Sequence, residues 1–154
     1  MTSLSRKGRY ALRALYALAG HEGSPMLIAD LAERESIPRK FLEAILLELK
    51  NAGILVSKKG KGGGYSLAKN PAEIVLGDVI RVIDGPLAPI PCVSEHAYVR
   101  CEECVDEATC GTRLVMKQVR DAIAQILDNT TLASALEQSA RARRKSLTQV
   151  TYAI

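Results

Sequence analysis

The chain has 154 residues, of which 47% are hydrophobic and 25% charged, with a formal net charge of +4, no Trp and a single Phe. That length holds one hydrophobic core plus an appended element, and that balance argues against two full domains and against a disordered chain. A core without Trp, built from Leu, Ile, Val and Ala, favours helices.

The net charge hides a block pattern. Residues 1–70 carry twelve Lys and Arg against six Asp and Glu, residues 71–110 two against eight, and residues 111–154 seven against three. A basic amino-terminal part suits a polyanion such as DNA, whereas the acidic middle does not. Arg13 interrupts the first apolar stretch, which excludes a membrane-spanning start and leaves a cytoplasmic address as the expectation.

Leu12, Leu15, Tyr16 and Ala19 share one face of a first helix ending near Gly20. Arg6, Lys7 and Arg9 stand at its entrance, where exposed amides and basic side chains suit a phosphate oxygen; a plain solvated helix start fits equally. Ile28, Leu31 and Ala32 then predict a short helix. Ser36-Ile37-Pro38 follows, with a cap-like hydroxyl and a proline suited to a first helical turn. The next helix carries Phe41, Ile45 and Leu49, widened by Leu42 and Leu46, and ends at Gly53. This is a helix-turn-helix pattern, with Arg39 and Lys40 in the opening turn of the recognition helix.

Ile54 to Val56 read as a strand and Tyr65 to Leu67 as its return, around a basic tip formed by Lys58, Lys59, Gly60, Lys61, Gly62, Gly63 and Gly64. The hairpin completes a winged helix-turn-helix. Its glycines allow close approach to a sugar-phosphate chain, and its lysines neutralise phosphates. A nucleotide-binding loop lacks support, because no Gly-Lys-Ser/Thr motif accompanies the glycines.

Val79, Ile80 and Val82 mark a short helix ending at Gly85, and Pro86, Pro89 and Pro91 then deliver the chain irregularly to Cys92. All four cysteines, Cys92, Cys101, Cys104 and Cys110, fall within nineteen residues. Four converging thiolates satisfy either a tetrahedral zinc or the irons of an iron–sulfur cluster. His96 is a possible further ligand, while Glu102, Glu103, Asp106 and Glu107 oppose free thiolates. From Thr112 to Asp128 a helix resumes, and Met116, Val119, Ile123 and Ile126 form a seam suited to a second subunit. A short helix near Leu132 to Gln138 precedes a basic end, Arg141, Arg143, Arg144 and Lys145, expected to be solvated or disordered.

Taken together, these motifs resemble the bacterial IscR/NsrR family of winged-helix regulators, which includes cluster-sensing repressors and members with no cluster. The resemblance rests on SRKGRYALRAL, on IADLAERESIPRKFLEAILLELKNAGILVSKKGKGGGYSLAKNPAEI, and on the cysteine loop followed by LVMKQVRDAIAQIL. The GGGY wing and the tyrosine after SRKGR are its most specific parts. It implies a homodimer with crossing late helices that reads a partly palindromic operator in double-stranded DNA. It also implies phosphate contacts from Arg6, Lys7 and Tyr10, groove contacts from Arg39 and Lys40, specificity tuning at Glu43, and wing contacts near Lys59 and Gly63. Cluster-bearing members show three cysteines, matched here by Cys92, Cys104 and Cys110; Cys101 is additional. Arg113 stands where one branch has a ligand histidine.

The expected fold is mainly α with a small β-wing. Residues 1–84 form the winged helix-turn-helix, 85–111 the cysteine-rich loop, 112–140 the dimerisation helix and a following short helix, and 141–154 a basic flexible tail. The expected function is that of a DNA-binding transcriptional regulator, a repressor rather than an enzyme. A 2Fe–2S or 4Fe–4S cluster held by all four cysteines would control it. Structural zinc or a thiol redox switch is the alternative, and a thiol enzyme, with only His21 and His96 as candidate bases, the more distant one.

Overall fold

The computed structural model describes the backbone of residues 4–21 and 23–151, and within that range the side chains through Ser146. The helices are α1 (Arg6–Ala19), α2 (Ile28–Glu35), α3 (Arg39–Asn51), α4 (Leu76–Asp84), α5 (Gly111–Asp128) and α6 (Leu132–Thr151). A hairpin of β1 (Leu55–Lys58) and β2 (Gly64–Leu67) lies between α3 and α4, and 3-10 turns occupy Pro71–Glu73 and Pro91–Val93. The fold is the mainly helical, β-winged one that the sequence predicts.

Its core lies among α1 to α4. Ala11, Ala14, Leu15 and Leu18 of α1 meet Leu31 of α2, Leu42, Ile45, Leu46 and Leu49 of α3, Leu55 of β1 and Val79 and Ile83 of α4. These positions recur at helical spacing, so each helix offers one apolar stripe to the same centre. Leu132 at the start of α6 is also buried there. Thr131 and Ser134 exchange hydrogen bonds that cap this helix start: each backbone N–H donates to the other's hydroxyl, at 3.0 and 3.1 Å.

The antiparallel hairpin pairs Leu55 with Leu67 and Lys58 with Gly64. It is anchored by a bridge in which the Met26 and Tyr65 backbones exchange N–H···O bonds of 2.9 and 2.8 Å. Gly64 makes the approach possible. Its φ is +133°, and a Cβ there would stand 2.3 Å from the Met26 carbonyl oxygen.

Three local expectations change. Phe41 is exposed rather than buried, because its ring stands edge-on to Tyr10, with centroids 5.7 Å apart, at the rim of the α1–α3 contact. Ser36 does not cap α3: it takes a left-handed conformation (φ 50°) that ends α2, and Pro38 is the N-cap of α3, outside the helix rather than in its first turn. The carboxyl-terminal segment is helical to Thr151 rather than a flexible tail from 141, with residues beyond that outside the described part. Ala, Arg, Lys and Gln are good helix formers, so the continuation follows from propensity despite the charge block.

Candidate nucleic-acid interface and cysteine loop

The first turn of α2, the start of α3 and the wing share one cleft, and α1 meets the start of α3 through Tyr10 and Phe41. The α1 start is fixed by Ser5, whose hydroxyl accepts from the Gly8 N–H at 2.9 Å while donating to Asp84 at 2.5 Å. The Ser5 N–H donates to the same carboxylate at 2.9 Å. A Cβ on Gly8 would stand 2.7 Å from Asp84, so the glycine permits this junction. Arg6 and Arg9 are exposed beyond it and line a shallow cavity of about 290 Å³ with Tyr10 and Arg13. Tyr10 is half-buried between Phe41 and the Arg13 guanidinium, which lies 5.9 Å from its ring centre.

The amino ends of α2 and α3 have no side-chain caps, their N-cap residues being Leu27 and Pro38. The first N–H groups of each helix, ahead of the Phe41 N–H that in α3 donates to the Pro38 carbonyl at 3.0 Å, suit an anionic oxygen, reinforced by the helix dipole. Arg39 and Lys40 are exposed in the opening turn of α3. The Arg39 Nε donates to Glu43 at 3.1 Å one turn on, which places a donor and an acceptor side by side on the exposed face of the recognition helix. A cleft of about 370 Å³ joins the first turn of α2, Arg39 and the wing residues Ser57, Lys58 and Gly60. Lys58, Lys59 and Lys61 are exposed around the tip.

Two predicted contacts have different surroundings. Lys7 is engaged inside the protein: its ammonium donates to both Glu48 carboxylate oxygens at 2.7 Å, tying α1 to α3. Gly63 is buried within the wing turn, where a Cβ would stand 2.4 Å from the Lys58 carbonyl oxygen and 2.7 Å from that of Gly60. Its small size serves the turn itself. The Lys7 partner was not legible locally, since Glu48 is 41 residues away.

The cysteine loop divides its thiols. Cys92 lies in the 3-10 turn, only 7% exposed, next to the buried Val93. Cys101 is exposed, and a turn closed by the Cys104 N–H donating to the Cys101 carbonyl at 3.2 Å brings these two together. Cys110 caps the start of α5. Burial first, then the adjacent Cys110 thiol and its hydrogen bond, and then Cys101, push the Cys104 thiol above its ordinary range. Cys104 thus stands near both Cys110 and Cys101, while Cys92 is buried.

Among the described residues no three His, Cys, Asp or Glu side chains are already arranged to hold a metal ion. Four thiols in one loop nevertheless fit a thiophilic centre in their chemistry. His96 is exposed and lines a small cavity with Arg81, Glu95 and Arg120, away from the neighbouring thiols.

Acidic residues of the loop have structural partners. Asp106 accepts from the Ala108 N–H at 3.0 Å and the Thr109 hydroxyl at 2.8 Å, which hold its carboxyl below the usual range. The Tyr98 hydroxyl donates to Glu107 at 2.5 Å, and that bond raises the phenol's pKa.

A family model described as "Rrf2: Iron-dependent Transcriptional regulator" matches residues 4–138. The chain is 42% identical over 137 residues to an rrf2-like HTH-type transcriptional regulator of Rhodobacter capsulatus, covering 86% of this chain and 91% of that protein. The structure of CymR, described as the global cysteine regulator of B. subtilis, superposes with a TM-score of 0.73 at 33% identity, covering 90% of this chain and 98% of that one. T. potens IscR follows with a TM-score of 0.70 at 30% identity, covering 91% of this chain and 90% of that one. Among the described residues no helix is long and apolar enough to cross a membrane.

Proposed function

Because the chain belongs to the Rrf2 family of DNA-binding transcriptional regulators, which are not enzymes, we propose that it is a homodimeric repressor controlled by an iron–sulfur cluster held by Cys92, Cys101, Cys104 and Cys110. The observation that carries the reading is that all four thiols fall in the one segment between α4 and the start of α5. A family described as iron-dependent supports the choice of iron.

Recognition is assigned to the uncapped amino end of α3 with Arg39, Lys40 and Glu43, and backbone positioning to Arg6, Tyr10 and the wing lysines. Lys7 acts indirectly, holding α1 against α3 through Glu48. Two copies joined along α5 would set the separation of two recognition helices, which must match half-sites about one helical turn apart or a multiple of that. An iron–sulfur cluster supplies a centre whose occupancy changes with iron, oxygen or nitric oxide. The loop residues answer that change by moving Cys92 toward or away from the other three thiols.

One observation favours a second reading. The adjacent thiols Cys104 and Cys110 suit a disulfide, in which a peroxide takes two electrons and both thiol protons leave. CymR, described as the global cysteine regulator of B. subtilis, is among the chain's structural neighbours.

Iron, acid-labile sulfide and zinc content, with a visible spectrum, on protein purified without oxygen separates these readings. Iron with sulfide supports the cluster, zinc alone makes the loop a structural staple, and neither metal moves control to the thiol pair. On the DNA side, replacing Lys58, Lys59 and Lys61 by Glu should weaken binding to all duplexes alike. Each lost phosphate contact should flatten the dependence of log affinity on log salt by about 0.9. Unchanged affinity would remove the wing from the interface.

A further inference from the structure

We propose that Arg113 and Arg120 are positioning residues that clamp the Cys92 segment to α5 and pass the state of the thiol loop to that helix; the inference rests on the loop-controlled reading above.

The starting point is an inversion in α5. Its apolar side chains Leu114, Val115, Val119 and Ile126 are exposed, while Arg120, at 8% exposure, is buried. Removing a guanidinium from water is unfavourable unless it is paired and hydrogen-bonded, so the pairs that Arg120 makes define its place. Its Nη1 lies 2.5 Å from Glu95 of the loop, and its Nη2 lies 2.6 Å from Asp121 of its own helix. Its buried Nε has no partner among the described residues. The fork is therefore held by its two outer nitrogens, one of them on the loop.

Arg113 repeats the arrangement two turns earlier. Residues seven apart share a helix face, about 10 Å apart along the axis. The Arg113 Nε donates to the Cys92 carbonyl at 3.2 Å and lies 3.8 Å from Glu107. The two arginines thus grip the chain at Cys92 and at Glu95, on either side of Val93 and Ser94, both buried.

The grip reaches beyond the loop. From α4, Arg81 makes a two-pronged pair with Asp128 at the end of α5, at 2.7 and 2.8 Å. Gly77 leaves room for it, since a Cβ there would stand 2.0 Å from the Asp128 carboxylate. Helix α4 packs on α1 and α3. Movement of Cys92 toward Cys101, Cys104 and Cys110 must either carry α5 along or break the Arg113 and Arg120 contacts. Both outcomes change how α5 is presented.

The test compares full-length wild type with Arg113→Met, Arg120→Met and the charge-keeping Arg120→Lys. Each is measured with its iron–sulfur centre loaded anaerobically and again after stripping, on a duplex selected from a random pool by the wild-type protein. Wild type should show about a tenfold difference in affinity between its two forms, within the usual span of coupling between sites. Both Met variants should reduce that ratio to about twofold or less while iron, sulfide and visible spectrum stay unchanged, and Arg120→Lys should restore part of it. Glu95→Gln removes the same pair from the solvent side and should act like Arg120→Met, which covers a failure of the latter to fold. A wild-type ratio retained in the Met and Gln variants overturns the clamp. If the two wild-type forms bind alike, the loop-controlled reading fails instead, and hydrogen exchange on the stripped protein decides the clamp separately. Arg120→Met or Glu95→Gln should then speed exchange of the Val93, Ser94 and Val99 amides about tenfold with α1 to α4 unchanged. Unchanged exchange overturns it.

Discussion

Helices α3 and α5 are built from similar material and finished differently. In α3, Leu42, Ile45, Leu46 and Leu49 are wholly buried against α1, α2 and α4, and the polar face carries Arg39, Lys40 and Glu43 outward. In α5, Val115, Val119 and Ile126 follow one another at helical spacing on the surface, with Ile126 66% exposed, while Met116, Ile123 and Leu127 are half-buried, Leu127 against the core, and Arg113 and Arg120 pair with the cysteine loop. The α1–α4 body is thus completed within one chain by apolar packing. Helix α5 joins it through half-buried side chains such as Leu127 together with charge pairs, and leaves an apolar stripe for another surface. Apolar packing is non-directional and fixes a body; ion pairs can be exchanged, which suits a region that must move.

The largest effect should separate the two halves in stability. Leu46→Ala removes a wholly buried side chain from α3 and should lower unfolding stability by about 3 kcal/mol, read from chemical denaturation. Val119→Ala in α5 should lie within about 0.5 kcal/mol of wild type when the protein is dilute enough to be monomeric. An equal loss at both sites would show that α5 is finished within the chain after all. The next effect concerns association. Val119→Asp with Ile126→Asp places two carboxylates on the exposed stripe and should weaken self-association by about 2 kcal/mol, or roughly thirtyfold, in sedimentation equilibrium. Unchanged association would place the dimer contact elsewhere, and the α1–α4 body should keep its circular dichroism in either case.

Legibility in the sequence follows the same division. The spacing of apolar residues marks Leu42, Ile45, Leu46 and Leu49 as core because they meet a surface made by neighbouring segments of the same chain. It over-reads Phe41, which has the right period but stands at the rim beside Tyr10. The Ser36-Ile37-Pro38 turn is visible, whereas the residue that ends one helix and the residue that starts the next are not, since Ser serves in either role. The cysteine spacing reveals a site in sequence without revealing that Cys92 is buried while Cys104 stands near both Cys110 and Cys101. Long-range charge pairs leave no local signal. Lys7 with Glu48, Arg120 with Glu95 and Arg81 with Asp128 each join elements whose approach is set by the tertiary fold.

The smallest effect probes the last of those pairs. The Arg81 hydrogen bond, more than the Coulomb attraction that accompanies it, holds the Asp128 carboxyl below its usual range. A carboxyl whose folded pKa lies below the unfolded value of about 3.9 adds stability above that value and loses it as pH falls through the folded pKa. Asp128 is 41% exposed, so solvent screens the pair, and its contribution is about 1 kcal/mol or less despite the two-pronged geometry. Asp128→Asn should therefore be less stable than wild type at pH 7, and the difference should shrink below about pH 4 as the wild-type carboxyl takes up its proton. A difference independent of pH would mean that the asparagine disturbs packing beside Gly77 rather than the charge pair. Because this pair joins α4 to the end of α5, beside the Leu76 N–H bond to the Thr130 carbonyl and the packing of Leu127, its loss should also loosen the α5 amides more than those of α3. That would show the charge pair contributing to the hold of α5 on the α1–α4 body.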